Sequence, residues 1–345
     1  MINRILEGAY PGVKLSHVRM QFSNEVDEIG KIKLAKIKEL FRILFRVWNQ
    51  RLRGARILYY PPAGPNFVPA VRDILLLIPT RFLFRATIFH FHASGISELI
   101  ARSTGLKRIL LQLAYHRPEV AIRLSKSTSN DARAIEAKRE VIIPYGIPDE
   151  APERKGGIAE RRGTLTLLFV AVMREDKGIF VLIESCNELK RRGFEFKVKC
   201  VGRFFSSEIE AKANRMLREF GLEDWFEFPG VLTGDSKLNA FRSSDIFCFP
   251  TYYASEAFPV VLLEALSFAL PIVSTCWRGV PDLVNEECAI LVEPRNVPAI
   301  TDALQLLLSD PELRERMSKA SRKRYEAEFT IEQFHERVGA LFRSI

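Results

Sequence analysis

Two glutamates, Glu256 and Glu264, stand eight positions apart in DIFCFPTYYASEAFPVVLLEALSFALPIVSTCWRGVPDLV, residues 245–284. The apolar run Ile246 to Phe249, stopped by Pro250, reads as a strand, and the apolar segment from Pro259 through Leu270 reads as a helix. Pro259 suits the first helical position, because its missing N–H would have no partner there. The amides of Val260 and Val261 then point out of the helix start, where an anion such as a phosphate fits. Two carboxylates beside one phosphate repel each other in a partly desolvated site. Hydroxyl groups would explain them: a nucleotide sugar whose diphosphate caps the helix places ribose near one glutamate and the sugar near the other. The alternative makes Glu256 an exposed loop charge and Glu264 a solvated helix position. Against it, Leu262, Leu263, Ala265 and Leu266 surround Glu264 with apolar side chains, as in a buried helix. Pro271 to Ser274 reads as the next strand, followed by a Gly279-Val280-Pro281 turn.

The strings SEAFPVVLLEAL, PIVST and GVPDLV resemble the E-x7-E signature, and the strand and turn after it, of retaining glycosyltransferases of family 4, the glycosyl transferases group 1. The resemblance extends over most of the chain. It implies an α/β chain of the GT-B fold, two Rossmann-like domains facing a cleft. It further implies that Glu256 contacts the transferred sugar, that Glu264 binds the ribose, and that the backbone of Val260 and Val261 holds the diphosphate, with Phe258 in the same donor-binding segment. Pro259 stands where many members carry glycine.

Those residues need a parallel sheet behind them. Leu165 to Met173 reads as a strand, then Arg174-Glu175-Asp176-Lys177-Gly178 precedes a helix reaching Arg192. Cations between a strand end and a helix start are placed to neutralise phosphate; a solvated turn is the plainer reading. By resemblance this junction supplies an Arg and a Lys for the leaving diphosphate. Lys177 matches, whereas the usual Arg position falls at Val172 and Arg174 lies two residues on. Gly202, at the end of the strand Phe196 to Val201, matches a glycine-containing loop beside the nucleotide. In the front half, Ala86 to His92 reads as a strand within a βαβ rhythm. His92 matches the histidine that lines the sugar and acceptor pocket in the family.

Val13 to Phe22 alternates apolar and polar residues as a strand does. In KIKLAKIKELFRILFRVWNQRLR, residues Ile37, Leu40, Phe41, Leu44, Trp48 and Leu52 fall on one helical face and Lys36, Arg42, Arg46, Asn49 and Arg53 on the other. Such a helix covers a sheet with its charged face solvated, and the same face suits anionic lipid headgroups at about 1 kcal/mol per basic residue. Through Lys155 the chain carries 26 Lys/Arg against 14 Asp/Glu, so the front half holds all the excess of a protein whose net charge is +9. A basic face can meet nucleic acid, an anionic membrane or a polyanionic substrate. No nucleic-acid module is recognisable, so nucleic acid ranks last among these partners.

At 345 residues the chain suits two domains. Five scattered cysteines without CxxC spacing read as reduced core residues with no metal site. No stretch reads as a signal peptide or a membrane span. The charged, Gly-bearing EAPERKGGIAERRG is the domain boundary. The expected organisation is an acceptor-side Rossmann-like domain over 1–155, a nucleotide-sugar-binding one over 156–328, and a helix over 329–345 crossing back to the first. The family's opening strand and Gly-rich loop have no counterpart before Val13, so the first domain is expected to lack them. The function expected is transfer of a sugar from a UDP- or GDP-sugar, with no metal and no other cofactor, to a glycan or lipid-linked acceptor in cell-surface polysaccharide synthesis. It would take place in the cytoplasm, peripherally on the inner face of the membrane. The alternative is an inactive or truncated GT-B scaffold that binds a membrane or a partner transferase.

Overall fold

The computed structural model describes residues 2–20, 34–64, 66–93, 95–127, 130–153 and 163–345. The chain forms two compact units, Met1–Pro144 with Phe334–Ile345, and Tyr145–Gln333. They divide at 144/145 rather than at the 155/156 expected; residues 154–162, most of the charged boundary segment, lie outside the described residues.

In chain order the first unit contains α1 (Ile2–Glu7), α2 (Leu34–Leu52), β1 (Ile57–Tyr60), α3 (Phe67–Leu77), β2 (Ala86–His90), α4 (Ile96–Ala101), α5 (Gly105–Tyr115), β3 (Val120–Arg123), α6 (Asp131–Ala134) and β4 (Arg139–Ile142). The four strands pair in parallel in the order β1-β2-β3-β4. Every residue of β2 and β3 is buried, as expected of inner parallel strands covered on both faces. The buried Asp73 carboxylate of α3 joins this unit's layers. It accepts hydrogen bonds from Tyr60 Oη at 2.7 Å, Tyr115 Oη at 2.8 Å, the Ala63 amide at 2.6 Å and Arg72 Nε at 2.8 Å. Donors from β1, the following loop and α5 thus compensate a charge that would otherwise be costly to bury.

Three expectations for this unit change. Residues 13–20 form no strand, and 21–22 lie outside the described residues; Val18 and Met20 instead lean on the core without pairing. Strand β2 stops at His90, so His92 lies two residues beyond it. Helix α2 does not bury the whole of its expected face: Ile43 and Leu44 are buried, but Phe41, Trp48 and Leu52 are exposed.

The second unit runs β5 (Leu165–Val170), α7 (Ile179–Arg191), β6 (Phe196–Val201), α8 (Ser207–Phe220), β7 (Phe226–Gly230), α9 (Gly234–Arg242), β8 (Ile246–Phe249), α10 (Val260–Ser267), β9 (Ile272–Thr275), α11 (Val280–Leu283), β10 (Ala289–Val292), α12 (Val297–Ser309) and α13 (Pro311–Glu328). Helix α14 (Ile331–Arg343) starts here, and from Phe334 it belongs to the first unit. Six parallel strands pair in the order β10-β9-β8-β5-β6-β7. The order reverses between β5 and β8, and ligands of such sheets bind beyond the carboxyl ends of the strands at that reversal. Lys177 follows β5 and Glu256 follows β8, which puts both there.

Helix α10 is shorter than expected. Pro259 is its N-cap in extended conformation rather than its first residue, and the helix ends at Ser267 instead of Leu270. The Gly279-Val280-Pro281 turn opens the short α11.

At Gly202, φ is +138°, and a Cβ there would lie 1.8 Å from the Ala171 carbonyl oxygen. Gly202→Ala is therefore expected to destabilise the second unit by about 2–4 kcal/mol, through strain and overlap with backbone. Urea unfolding followed by far-UV circular dichroism checks it; an unchanged midpoint would contradict this packing.

Candidate active site

Lys177 ends a 3-10 turn, Glu175–Lys177, and Gly178 caps α7 with φ +87°. A Cβ on Gly178 would meet the Pro250 carbonyl oxygen at 2.2 Å, so the loop after β5 lies directly on the end of β8. That approach brings Lys177 Nζ to 2.5 Å from Glu256 Oε2, with both side chains largely buried. Thr251 Oγ1 donates to the same oxygen at 3.1 Å. Both contacts use Oε2 and leave Oε1 for another donor. Lys177 Nζ also lies 4.5 Å from the Tyr253 ring centroid and 5.5 Å from that of Phe249, a cation held over aromatic faces. The loop carrying Glu256 is pinned: the Tyr252 amide donates to Asp176 O at 2.8 Å, and Trp277 Nε1 donates to Tyr253 O at 2.8 Å.

Glu264 lies four residues into α10, about 6 Å along the axis from Val260. Lys237 Nζ of α9 sits 2.6 Å from its Oε1. Its Oε2 is buried with no hydrogen-bond partner among the described residues. A buried carboxylate oxygen without a donor is costly, and a ligand hydroxyl would satisfy it. The amides of Val260 and Val261 likewise have no partner among the described residues; the Pro259 carbonyl accepts from Leu262. Lys237 was not found from the sequence. Its signal is weak, a lone lysine in a polar helix, and only the packing of α9 on the sheet reveals its partner.

The other expected residues have different surroundings. Arg174 is tied bidentately to Asp176, at 2.8 Å on both contacts, and lies over the rings of Phe205 and Tyr253. The hydrogen bond to Asp176 raises its pKa further. Val172 is exposed and brings no charge. The Phe258 side chain is buried edge-on against Tyr145 and Phe329, with centroids at 5.3 and 6.2 Å, which leaves only its backbone to meet a ligand. Gly202 is required by the close approach of Ala171, whatever lies beyond it.

His92 belongs to the first unit. It lines a cavity of about 530 Å³ together with Asn3, Met20, Pro61, Gly64 and Arg72, among others. Its ring lies 4.4 Å from that of His90, which is hydrogen-bonded to the Tyr59 hydroxyl. Burial lowers the His92 pKa to about 4, and burial together with His92 lowers that of His90. His92 is thus neutral at pH 7 and can donate or accept a hydrogen bond, carrying no charge.

A match to the family model for glycosyl transferases group 1 covers residues 151–324, half of the chain, and includes the β5–α7 and β8–α10 junctions. The chain belongs to the glycosyl transferases group 1. It is 24% identical over 293 residues to a protein of Escherichia coli K12 named as the colanic acid biosynthesis glycosyltransferase WcaL, covering 76% of this chain and 71% of that one. Among solved structures it resembles sucrose-phosphate synthase from Thermosynechococcus elongatus with a TM-score of 0.71 at 18% identity, over 97% of this chain and 86% of that one. It also resembles Anabaena HepE in complex with UDP, with a TM-score of 0.70 at 13% identity, over 88% and 82%. Those likenesses establish the GT-B fold. The enzyme is thus a glycosyltransferase built of two Rossmann-like units.

Two measurements test this geometry. Lys177→Ala leaves Glu256 buried and uncompensated and is expected to destabilise the second unit by about 3 kcal/mol, and Lys177→Ala with Glu256→Gln by less; urea unfolding of the three proteins compares them. His92 has its pKa depressed in the fold, so the unfolded chain binds more protons between the ordinary value near 6.5 and about 4. Stability of the first unit should therefore fall as pH drops through that window, and His92→Gln should flatten the slope. Thermal melts at pH 7, 6, 5 and 4 would show it.

Proposed function

We propose that this glycosyltransferase takes its sugar from a nucleoside diphosphate sugar, a UDP- or GDP-sugar, and transfers it with retention of configuration. The observation that carries this reading is the Glu264 carboxylate, with one oxygen held by Lys237 and the other buried, inside a helix whose first amides, like that oxygen, have no hydrogen-bond partner among the described residues. Ribose hydroxyls would donate to Glu264, and the amides of Val260 and Val261 would hold a diphosphate oxygen. Glu256 would accept from the sugar's hydroxyls. Lys177 would stabilise the charge that grows on the departing diphosphate, with Arg174 beside it, which is electrostatic catalysis by groups already in place. The HepE structure that the chain resembles contains UDP, which supports a nucleotide donor.

We further assign the acceptor as a glycan or a lipid-linked saccharide in cell-surface polysaccharide synthesis, supported by the similarity to a protein named for colanic acid biosynthesis. His92 and its cavity are the acceptor-side candidate, with the neutral imidazole as a hydrogen-bonding group. The strongly basic front half supports work on an anionic, cytoplasmic membrane face; no helix among the described residues is long and apolar enough to cross a membrane. A second reading, donor binding without turnover, is favoured by one feature: Val172 stands where the family resemblance calls for an arginine, and Arg174 is already engaged by Asp176.

Isothermal titration of the chain with UDP and with GDP tests the donor site. One nucleotide should bind, and Glu264→Ala should weaken it at least about tenfold, or 1.4 kcal/mol. Binding of neither to the folded chain would overturn the assignment. With a donor and acceptor in hand, Lys177→Ala should lower kcat about 10²–10³-fold with little change in KM. Proton NMR of the product's anomeric centre reads the stereochemistry.

A further inference from the structure

Helix α2 has three faces instead of two. Ile43 and Leu44 are buried against the first unit's core, with Leu40 and Val47 partly buried beside them. Phe41, Phe45, Trp48 and Leu52, spaced 4, 3 and 4, fall within an arc of about 60° next to that buried face. They are 65%, 68%, 42% and 86% exposed. Beyond them lie Lys38, Arg42, Arg46 and Arg53, all exposed; of these, Arg42 is paired with Glu39. The apolar stripe continues onto the segment after α3. Trp48 Nε1 donates to Pro79 O at 3.3 Å and Arg51 Nε to Leu83 O at 2.6 Å, and Phe82 and Leu83 there are also exposed.

Four large apolar side chains in a row on a surface helix mark an interaction surface rather than scattered exposure. The flanking charge selects the partner. A second copy meeting this face about a two-fold axis would set like-charged arginines against each other. An anionic bilayer takes the aromatic and aliphatic residues among its acyl chains and the cations at its headgroups, the arrangement of a helix lying in the membrane plane.

We propose that α2 docks this protein on an anionic phospholipid surface by inserting Phe41, Phe45, Trp48 and Leu52, with Phe82 at the patch edge, while the neighbouring lysine and arginines contact the headgroups. Insertion of apolar groups thus dominates, and charge assists. The inference deepens the membrane part of the proposed function and is independent of the donor chemistry, because the stripe and the donor site lie on different units.

Flotation of the full chain with vesicles of phosphatidylglycerol and phosphatidylethanolamine, against pure phosphatidylcholine, at 0.15 M salt, tests it. The protein should float with the anionic vesicles, and Phe45→Ser with Trp48→Ser should reduce partitioning at least tenfold at unchanged net charge. Arg42→Gln with Arg46→Gln and Arg53→Gln should weaken binding less and make it less sensitive to salt. Tryptophan emission should shift to the blue on adding anionic vesicles, and Trp48→Phe should lose that shift while still floating. Nucleotide titration of the serine variant should match the unsubstituted chain, so a failed donor assignment and a failed docking surface give separate results. The proposal is overturned if the chain does not float with anionic vesicles, if the serine pair floats equally well, or if the blue shift survives Trp48→Phe. It is also overturned if light scattering finds a dimer that the serine pair abolishes, since the stripe would then bind a second copy.

Discussion

A lysine and a glutamate 79 residues apart share one part-buried hydrogen bond, and the loops of the second unit that carry them are held together around it. Lys177 can reach Glu256 only because the loop after β5 lies against the end of β8, and that approach requires a residue without Cβ at 178. Either charge left alone in so desolvated a place would be costly. The strand order makes the meeting possible: β5 and β8 are neighbours at the reversal of the sheet, so the loops leaving their carboxyl ends start side by side. A sequence of local preferences thereby becomes one electrostatic centre.

The strand, loop and helix that carry Glu256 and Glu264 were legible from sequence because they follow from backbone chemistry. A proline stopping a strand, a polar loop and an apolar run under a second proline dictate a helix start aimed at the loop. Lys177 was singled out by the family resemblance, since a cation between a strand end and a helix start also reads as a solvated turn. What could not be read was the pairing that depends on distant packing. Lys237 meets Glu264 across two helices, and Thr251 turns its hydroxyl onto Glu256 only once the loop is pinned by Asp176 and Trp277. Gly202 was read from the sequence only as part of a loop beside the nucleotide; the close approach of Ala171 is sufficient to require it.

The first unit was less legible, for physical reasons. Alternation over 13–20 resembles a strand, yet alternating side chains serve equally well to rest an extended segment on a core, and that is the outcome. Asp73 is the polar centre of this unit and left no trace in the pattern, because a single aspartate beside an arginine reads as a solvated pair. Its four donors come from β1, the loop after it, α3 and α5, elements that only the tertiary structure assembles. Helices α4 and α5 also escaped the periodicity, since α5 carries exposed Leu106, Ile109 and Leu113 that blur the line between its two faces.

The two glutamates of the site have opposite situations, and the contrast bears on how it works. Glu264 is held at one oxygen by a lysine of a neighbouring helix and lacks a donor at the other among the described residues, so on the proposed reading an arriving hydroxyl would meet an acceptor already oriented and already desolvated. Glu256 instead shares its lysine with the place where a diphosphate would lie. On the proposed reading an incoming diphosphate would compete for the Lys177 ammonium, and to the extent that it succeeded it would release Glu256 Oε2 from its contact with that lysine. Donor binding on the proposed reading would then both neutralise the leaving group and free the carboxylate that meets the sugar. On that reading Thr251 would keep one hydrogen bond on that oxygen, so the carboxylate would not be left bare.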